Sequence, residues 1–288
     1  MLESTAQGRS VAILLAGLSA LMYGAGDFCG GLAARKMPVF TVLMFSQFVG
    51  LLLAVAAAFV FRQPLPGLVD LLWGSAAGVC GAAGLAALYR ALATTLVAVA
   101  SPIAAATGAA IPVILGLVVG ERPHGLAWVG IALAIPAIIL LSAGPAERAR
   151  KGIARRAAFL GIVAGIGFGL FFFAISRTTS ASGLWPLAAA RVSTISLVVL
   201  FAGLTRRSLR PGREGFFIVL LSGALDMGAN IAFLLASRIG LLTITAVVTS
   251  LYPGPTVILA VLVFRERLTI PRILGLALAL AGVACISI

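Results

Sequence analysis

A chain of 288 residues that is 61% hydrophobic and 10% charged, with a mean hydropathy of +1.17, cannot cover a water-soluble fold with polar side chains. This excludes a soluble enzyme or a zinc-finger module, and at about 20 apolar residues per crossing, ten bilayer crossings would leave under about a hundred residues for every loop. The net charge of +13 is then a property of loops, which orients the chain in a bilayer and implies no nucleic acid.

Apolar runs bounded by charge, Pro or Gly predict ten membrane helices. The first five cover 10–33, 40–61, 69–89, 94–120 and 126–141, and the second five cover 157–175, 184–204, 215–235, 241–264 and 270–288. The first run, about 24 residues without a small-residue cleavage pattern, exceeds the ~7–15 of a signal-peptide core and is expected to stay as an anchor. Ten crossings put both ends at one face. Of 21 Lys and Arg, 15 fall in loops of the opposite face, five at the face of the ends, and Arg191 lies within the seventh run. Basic loops remain cytoplasmic, so both termini are expected outside, facing the periplasm from a bacterial inner membrane. Cys29, Cys80 and Cys285 lie far apart in apolar stretches, which offers neither a disulfide framework nor a thiolate metal site.

Slid on itself by 145 residues, the sequence places Gly120-Glu121-Arg122 on Arg265-Glu266-Arg267. The same ungapped register pairs Ala91 with Ala236, Leu96 with Leu241, Gly130 with Gly275, Ala132-Leu133-Ala134 with Ala277-Leu278-Ala279, and Ser142 with Ser287. In so Ala- and Leu-rich a chain the rare charged pair is the informative part. Five crossings per repeat is an odd number, so the second copy must run through the membrane in the opposite sense. The expected organisation is an all-α integral membrane protein: a first five-helix repeat at 1–143, a basic cytoplasmic linker at 144–156, and an inverted second repeat at 157–288. Two similar halves in opposite orientation can exchange conformations and expose a central site to each side in turn, which is a transporter's architecture.

Three features resemble the drug/metabolite transporter superfamily in its ten-helix EamA-like branch: Tyr23-Gly24-Ala25-Gly26-Asp27-Phe28 in the first helix, the Glu-Arg turn after the fourth helix of each half, and Leu274-Gly275 through Ala281-Gly282. The resemblance covers nearly the whole chain and implies a carrier of small solutes. Members of the superfamily carry amino acids, nucleotide sugars, sugar phosphates, nucleobases or drugs, so fold alone does not choose a cargo. Among the branches, the amino-acid exporters, including the YddG-type aromatic exporters, are what the resemblance implies. One departure stands in the fourth helix, where the first copy has Gly108 in place of Pro253 and carries Pro102 and Pro112.

Ionisable groups in a bilayer core cost roughly 2.5–3.5 kcal/mol on insertion scales, so each needs a partner or a task. Asp226 and Asn230 share one face of the eighth helix, where they either bind cargo or, through Arg191, form a structural ion pair. Arg191 has a third option, snorkelling to the outer interface. Asp27 lies about 12 Å below the end of the first helix; it is either a proton site or the partner of Arg90 or Arg35 at an inner gate. The small four-helix drug antiporters, distantly similar to this family, rely on a Glu in that helix, so Asp27 keeps a proton-coupled multidrug reading open. Among neutral groups, Tyr89, Tyr252, Gln47, Thr249, Ser101, Thr107, Thr245 and Ser250 are candidates to line a cavity, against the plainer role of bonding their own backbone. Pro253 and Pro255 are expected to kink the ninth helix beside Tyr252, and Pro102 and Pro112 the fourth, making four candidate hinges. Glu121 and Glu266 are expected to pair locally or cap the next helix. Trp73, Trp128 and Trp185 sit where interfacial anchors do. His124 alone makes no metal site.

These readings converge on a secondary transporter that exports small organic metabolites, hydrophobic or aromatic amino acids first, from a largely apolar cavity. Its expected partners are the small-molecule substrate and the lipid bilayer, with no nucleic acid and no cofactor, and it is expected to act as a monomer because both halves lie in one chain. The alternatives are a proton-coupled antiporter of quaternary cations and, more remotely, a non-transporting scaffold or sensor.

Overall fold

A computed structural model describes residues 6–92, 97–142, 151–206, 209–210, 212, 214–265 and 269–287. Its helices are α1 (Ala6–Ala34), α2 (Val39–Val60), α3 (Leu68–Leu92), α4 (Val97–Val118), α5 (Gly125–Ser142), α6 (Lys151–Ser176), α7 (Trp185–Leu204), α8 (Phe216–Ile239), α9 (Leu242–Thr249), α10 (Pro253–Phe264) and α11 (Ile270–Ser287). Among the described residues nine segments are long and apolar enough to cross a bilayer, α9 and α10 counting together, and α4 adds a shorter apolar stretch, Pro102–Val118. The protein is therefore an all-α, multi-pass membrane protein. Its outer surface carries Leu14, Phe59, Leu72, Phe217, Leu262 and Leu280 at 60% exposure or more, the reverse of a water-soluble fold and what a hydrocarbon solvent asks for.

The repeat is visible in the backbone. Ala6 opens α1 and Lys151 opens α6, 145 residues on, and Val39 of α2 is matched within one residue by Trp185 of α7. Of the expected linker at 144–156, the part from Lys151 onward is helix, Lys and Arg being good helix formers. Residues 143–150 lie outside the described residues.

The two fourth spans differ. In the second half the span breaks into α9 and α10 around Ser250–Tyr252, where Leu251 N, Tyr252 N and Gly254 N each donate three residues back, to Val248 O, Thr249 O and Leu251 O. Pro253 and Pro255 remove two amide donors within three residues, so the hydrogen-bond ladder cannot run unbroken through them. In the first half Pro102 and Pro112 lie ten residues apart, and α4 runs through both as one helix. The expected break at Pro253 and Pro255 is present, and at Pro102 and Pro112 a single missing donor each is absorbed without ending the helix.

Packing divides the core helices into two bundles, each drawn from both halves. α1 packs on α8 and on α9–α10; its repeat counterpart α6 packs on α3 and α4. The pair α2–α7 closes one end of the molecule and α5–α11 the other. Glycine allows the tightest of these contacts: a Cβ at Gly24 of α1 would lie 2.6 Å from Tyr252 O and 2.7 Å from the Pro255 side chain, so α10 can approach only a bare backbone. Thr256 Oγ1 then donates to Gly24 O at 3.0 Å.

Candidate solute site between the two bundles

Along α1, Ala12, Ala16, Ser19 and Ala20 form the buried stripe that faces the interior, while Leu14, Leu18 and Leu21 face outward. A helix turns about 100° per residue, which puts Tyr23 and Asp27 on that interior stripe, between the Gly26 face turned to α8 and the Gly24 face turned to α10. Asp27 is nevertheless exposed. On the interior face, that exposure marks an opening between the bundles at Asp27. Asp27 lies in the field of the Asp226 carboxylate, Tyr252 in that of Asp27, and Tyr23 within reach of Asp226, Arg191, Asp27 and Tyr252 together. These four side chains, from α1, α8 and the α9–α10 break, make one wall.

Behind that wall Arg191 anchors three helices. From α7 its Nη2 donates to Asp226 Oδ2 of α8 at 2.6 Å and its Nη1 to Gln47 Oε1 of α2 at 2.6 Å. The Arg191 side chain is 7% exposed and that of Asp226 30%, so the pair is sunk on the arginine side and open to the cavity on the aspartate side. Arg191 therefore pairs with Asp226 and does not snorkel to the outer interface. Asn230, one turn along α8, donates from Nδ2 to Asp226 O at 2.7 Å, and its Oδ1 is buried with no partner among the described residues.

The opposite wall comes from the other bundle and is apolar. At the 145-residue offset Asp27 corresponds to Phe172, Tyr23 to Phe168, Asp226 to Gly81, Asn230 to Leu85 and Tyr252 to Thr107. Phe172 and Tyr23 meet edge-on at 6.1 Å, Phe172 lies tilted against Phe233 at 4.4 Å, and Tyr23 and Tyr252 lie 6.3 Å apart. One side carries carboxylates and phenol hydroxyls, the other packed aromatic rings.

Other sequence candidates fall elsewhere. Asp27 has no ion pair among the described residues: Arg35 lies over the Phe264 ring at 5.0 Å, and Arg90 is exposed at the end of α3. Neither arginine is the partner expected for Asp27. Thr249 is fully buried, and its Oγ1 faces Ala16 O of α1 at 3.5 Å. Thr245 bonds its own backbone at Leu241 O, 3.0 Å away. Thr107 lies with Pro102 on a small cavity of about 190 Å³ between α4 and α5. The Tyr89 and Ser101 side chains and Glu266 lie outside the described residues. Glu121 corrects its expectation: its carboxylate reaches neither Arg122 nor the start of α5, but accepts from Leu242 N and Thr243 N at the start of α9 in the other half. Two residues escaped sequence reasoning. Tyr23 stands one turn before Asp27, which was its available signal; Asp70 stands at a predicted helix boundary and gives none.

A fold of two inverted five-helix repeats around an interior cavity, with its charges on one wall, defines a membrane transporter. Residues 10–143 and 155–288 each match the EamA-like transporter family, and the chain belongs to that family. One solved structure, described only as a crystal structure of a protein, superposes with a TM-score of 0.78 over 95% of each chain at 17% identity, a likeness of fold. The comparison with curated proteins gives no match.

Proposed function

We propose that this member of the family exports small amphipathic amines from a bacterial cytoplasm by alternating access, with hydrophobic and aromatic amino acids as the preferred cargo. The observation that carries this reading is the two-walled cavity. Asp27, without an ion pair, receives an ammonium group, the Tyr23 and Tyr252 hydroxyls donate to a carboxylate, and the apolar side chain lies against Phe172. A sugar phosphate would need several cations, and Arg191 is already held by Asp226 and Gln47. The 15-to-5 division of basic residues supports termini that face the periplasm. One chain supplies both repeats, which supports action as a monomer.

A second reading, a proton-coupled exchanger of organic cations, is favoured by the make-up of the same site: Asp27 and Asp226 face a single arginine, Arg191, so one carboxyl group has no cationic partner among the described residues. Counterflow in liposomes separates the two. Saturable exchange of labelled Phe, Trp or Leu, lost in Asp27→Asn and Tyr252→Ala, is the expected result. Exchange of a quaternary ammonium dye with no amino acid moving would overturn the amino-acid reading in favour of the second, and exchange of neither would overturn both.

A further inference from the structure

At the face that carries Ala6 and Ser287, two side chains cross from one bundle to the other. Glu121, in the turn after α4, accepts at Oε1 from Leu242 N at 2.7 Å and at Oε2 from Thr243 N at 2.8 Å. Both amides open α9, where no backbone carbonyl within the helix can take them, and the positive end of the helix favours a carboxylate. Arg238, in the last turn of α8, reaches in the other direction. Its Nη2 donates to Thr179 O at 2.9 Å and Gly183 O at 2.8 Å, in the turn between α6 and α7. That turn is itself held by Asp70 of α3, which accepts from Thr179 N at 2.8 Å and Thr179 Oγ1 at 2.7 Å.

Behind these ties the bundles meet through alanine and β-branched side chains. Ala105, Ala109 and Val113 of α4 share a buried cluster with Ile244, Val247 and Val248 of α9. Lipid tails compete for apolar surface on equal terms, so the polar ties add to what holds this contact shut. α9 is eight residues long and cut free of α10 by the proline break, so it can move as a unit once its first turn is released.

We infer that Glu121 and Arg238 are positioning residues that latch the two bundles at the terminal face, and that the solute's route to that face opens when α9 leaves Glu121. The latch goes beyond the transporter reading, since it names the bonds that must break. It rests on the two-bundle packing and needs no cargo, so its test reads accessibility rather than flux.

In a background with Cys29, Cys80 and Cys285 replaced by Ala, Ala109→Cys reports from behind the latch, and Ala137→Cys reports from the α5–α11 contact. A membrane-impermeant maleimide is applied from the terminal face. Glu121→Ala and Arg238→Ala are each expected to raise labelling of Ala109→Cys by tenfold or more, Glu121→Gln to raise it less because one acceptor oxygen remains, and Ala137→Cys to stay protected throughout. Should Glu121→Ala fail to give monodisperse protein, Glu121→Gln and Arg238→Ala carry the test. Unchanged labelling of Ala109→Cys in these folded variants overturns the latch. An equal rise at Ala137→Cys does so too, because the change is then a general loosening of the helices.

Discussion

The two membrane faces of this protein are built by related sequences and held differently. At the terminal face Glu121, Asp70, Gln63 and Arg238 each bond backbone groups of a neighbouring element, over large apolar clusters that join α1, α4, α5, α8 and α9. At the basic face the described residues offer one small cluster, Ala33, Met37, Val42 and Val219, with Gly212 N donating to Met37 Sδ at 3.3 Å and Arg35 over Phe264. The offset explains part of the contrast. Asp70 corresponds to Gly215, which has a φ of 83° that glycine alone adopts freely, Gln63 to Ser208 and Arg238 to Ala93. At three of the four positions the second copy therefore has a different residue type, and only Glu121 is matched in kind, by Glu266. Inverted repeats need not close both faces with the same chemistry, and here the asymmetry lies in a few polar side chains as well as in the broken fourth span of the second half.

The largest expected effect lies at neither face but at the pivot between them. Arg191→Met leaves Asp226 and Gln47 without their shared donor and an unpaired carboxylate deep in the membrane, a loss of about 3–5 kcal/mol. Both faces should loosen together and counterflow should stop. Thermal unfolding in detergent measures the first, and Arg191→Met with Asp226→Leu should recover a large part of the stability without the exchange. Recovery of neither would show that Arg191 acts through Gln47 alone. Next comes Gly24→Val, which drives a side chain into Tyr252 O and Pro255 where α1 meets α10. Overpacking of this kind costs about 1–3 kcal/mol. It acts beside the broken span, so exchange should fall further than stability, and equal falls in both would sink the idea that this contact serves the cavity.

A third substitution sharpens the comparison of faces. Asp70→Ala deprives Thr179 N and Thr179 Oγ1 of their acceptor and frees the turn that receives Arg238, at a cost of about 1–3 kcal/mol. Maleimide labelling behind the terminal face should rise while labelling at the basic face does not. Asp70→Asn, which keeps one acceptor oxygen, should fall between. Equal labelling changes at the two faces would remove Asp70 from the latch's support.

Most of the fold was legible because hydropathy, loop charge and one repeated Glu-Arg turn report quantities that a bilayer enforces over twenty residues at a time. The site was legible only in part. Asp226 and Arg191 were visible as costly charges that must find partners, Asn230 as a polar group on the face of Asp226, and the double proline at 253 and 255 as a kink. Which of two allowed partners a charge takes is set by helix rotation and side-chain reach, and no single-helix pattern carries that: Asp27 lost both its expected arginines, and Glu121 passed over its neighbour Arg122 to cap a helix 121 residues away. Asp70 was invisible because an acid at a helix start is ordinary, and only the return of the α6–α7 turn beside it gives it work.

The smallest expected effect tests whether polar groups at the terminal face matter because they are buried or because they cross between bundles. Thr245 and Glu121 both serve α9, yet Thr245 Oγ1 donates within the helix, to Leu241 O at 3.0 Å, while Glu121 reaches α9 from the turn after α4. Thr245→Val removes a donor whose acceptor carbonyl keeps its backbone partner, since Thr245 N also donates to Leu241 O at 2.9 Å. The change therefore strands no group, and interhelical bonds are untouched. Side-chain hydrogen bonds inside membranes average about 0.6 kcal/mol even where they do cross, so this one should fall below that in thermal unfolding, with counterflow and maleimide labelling unchanged. A loss as large as that from Asp70→Ala would mean that the internal order of α9, rather than the ties reaching it from the other bundle, is what shuts the terminal face.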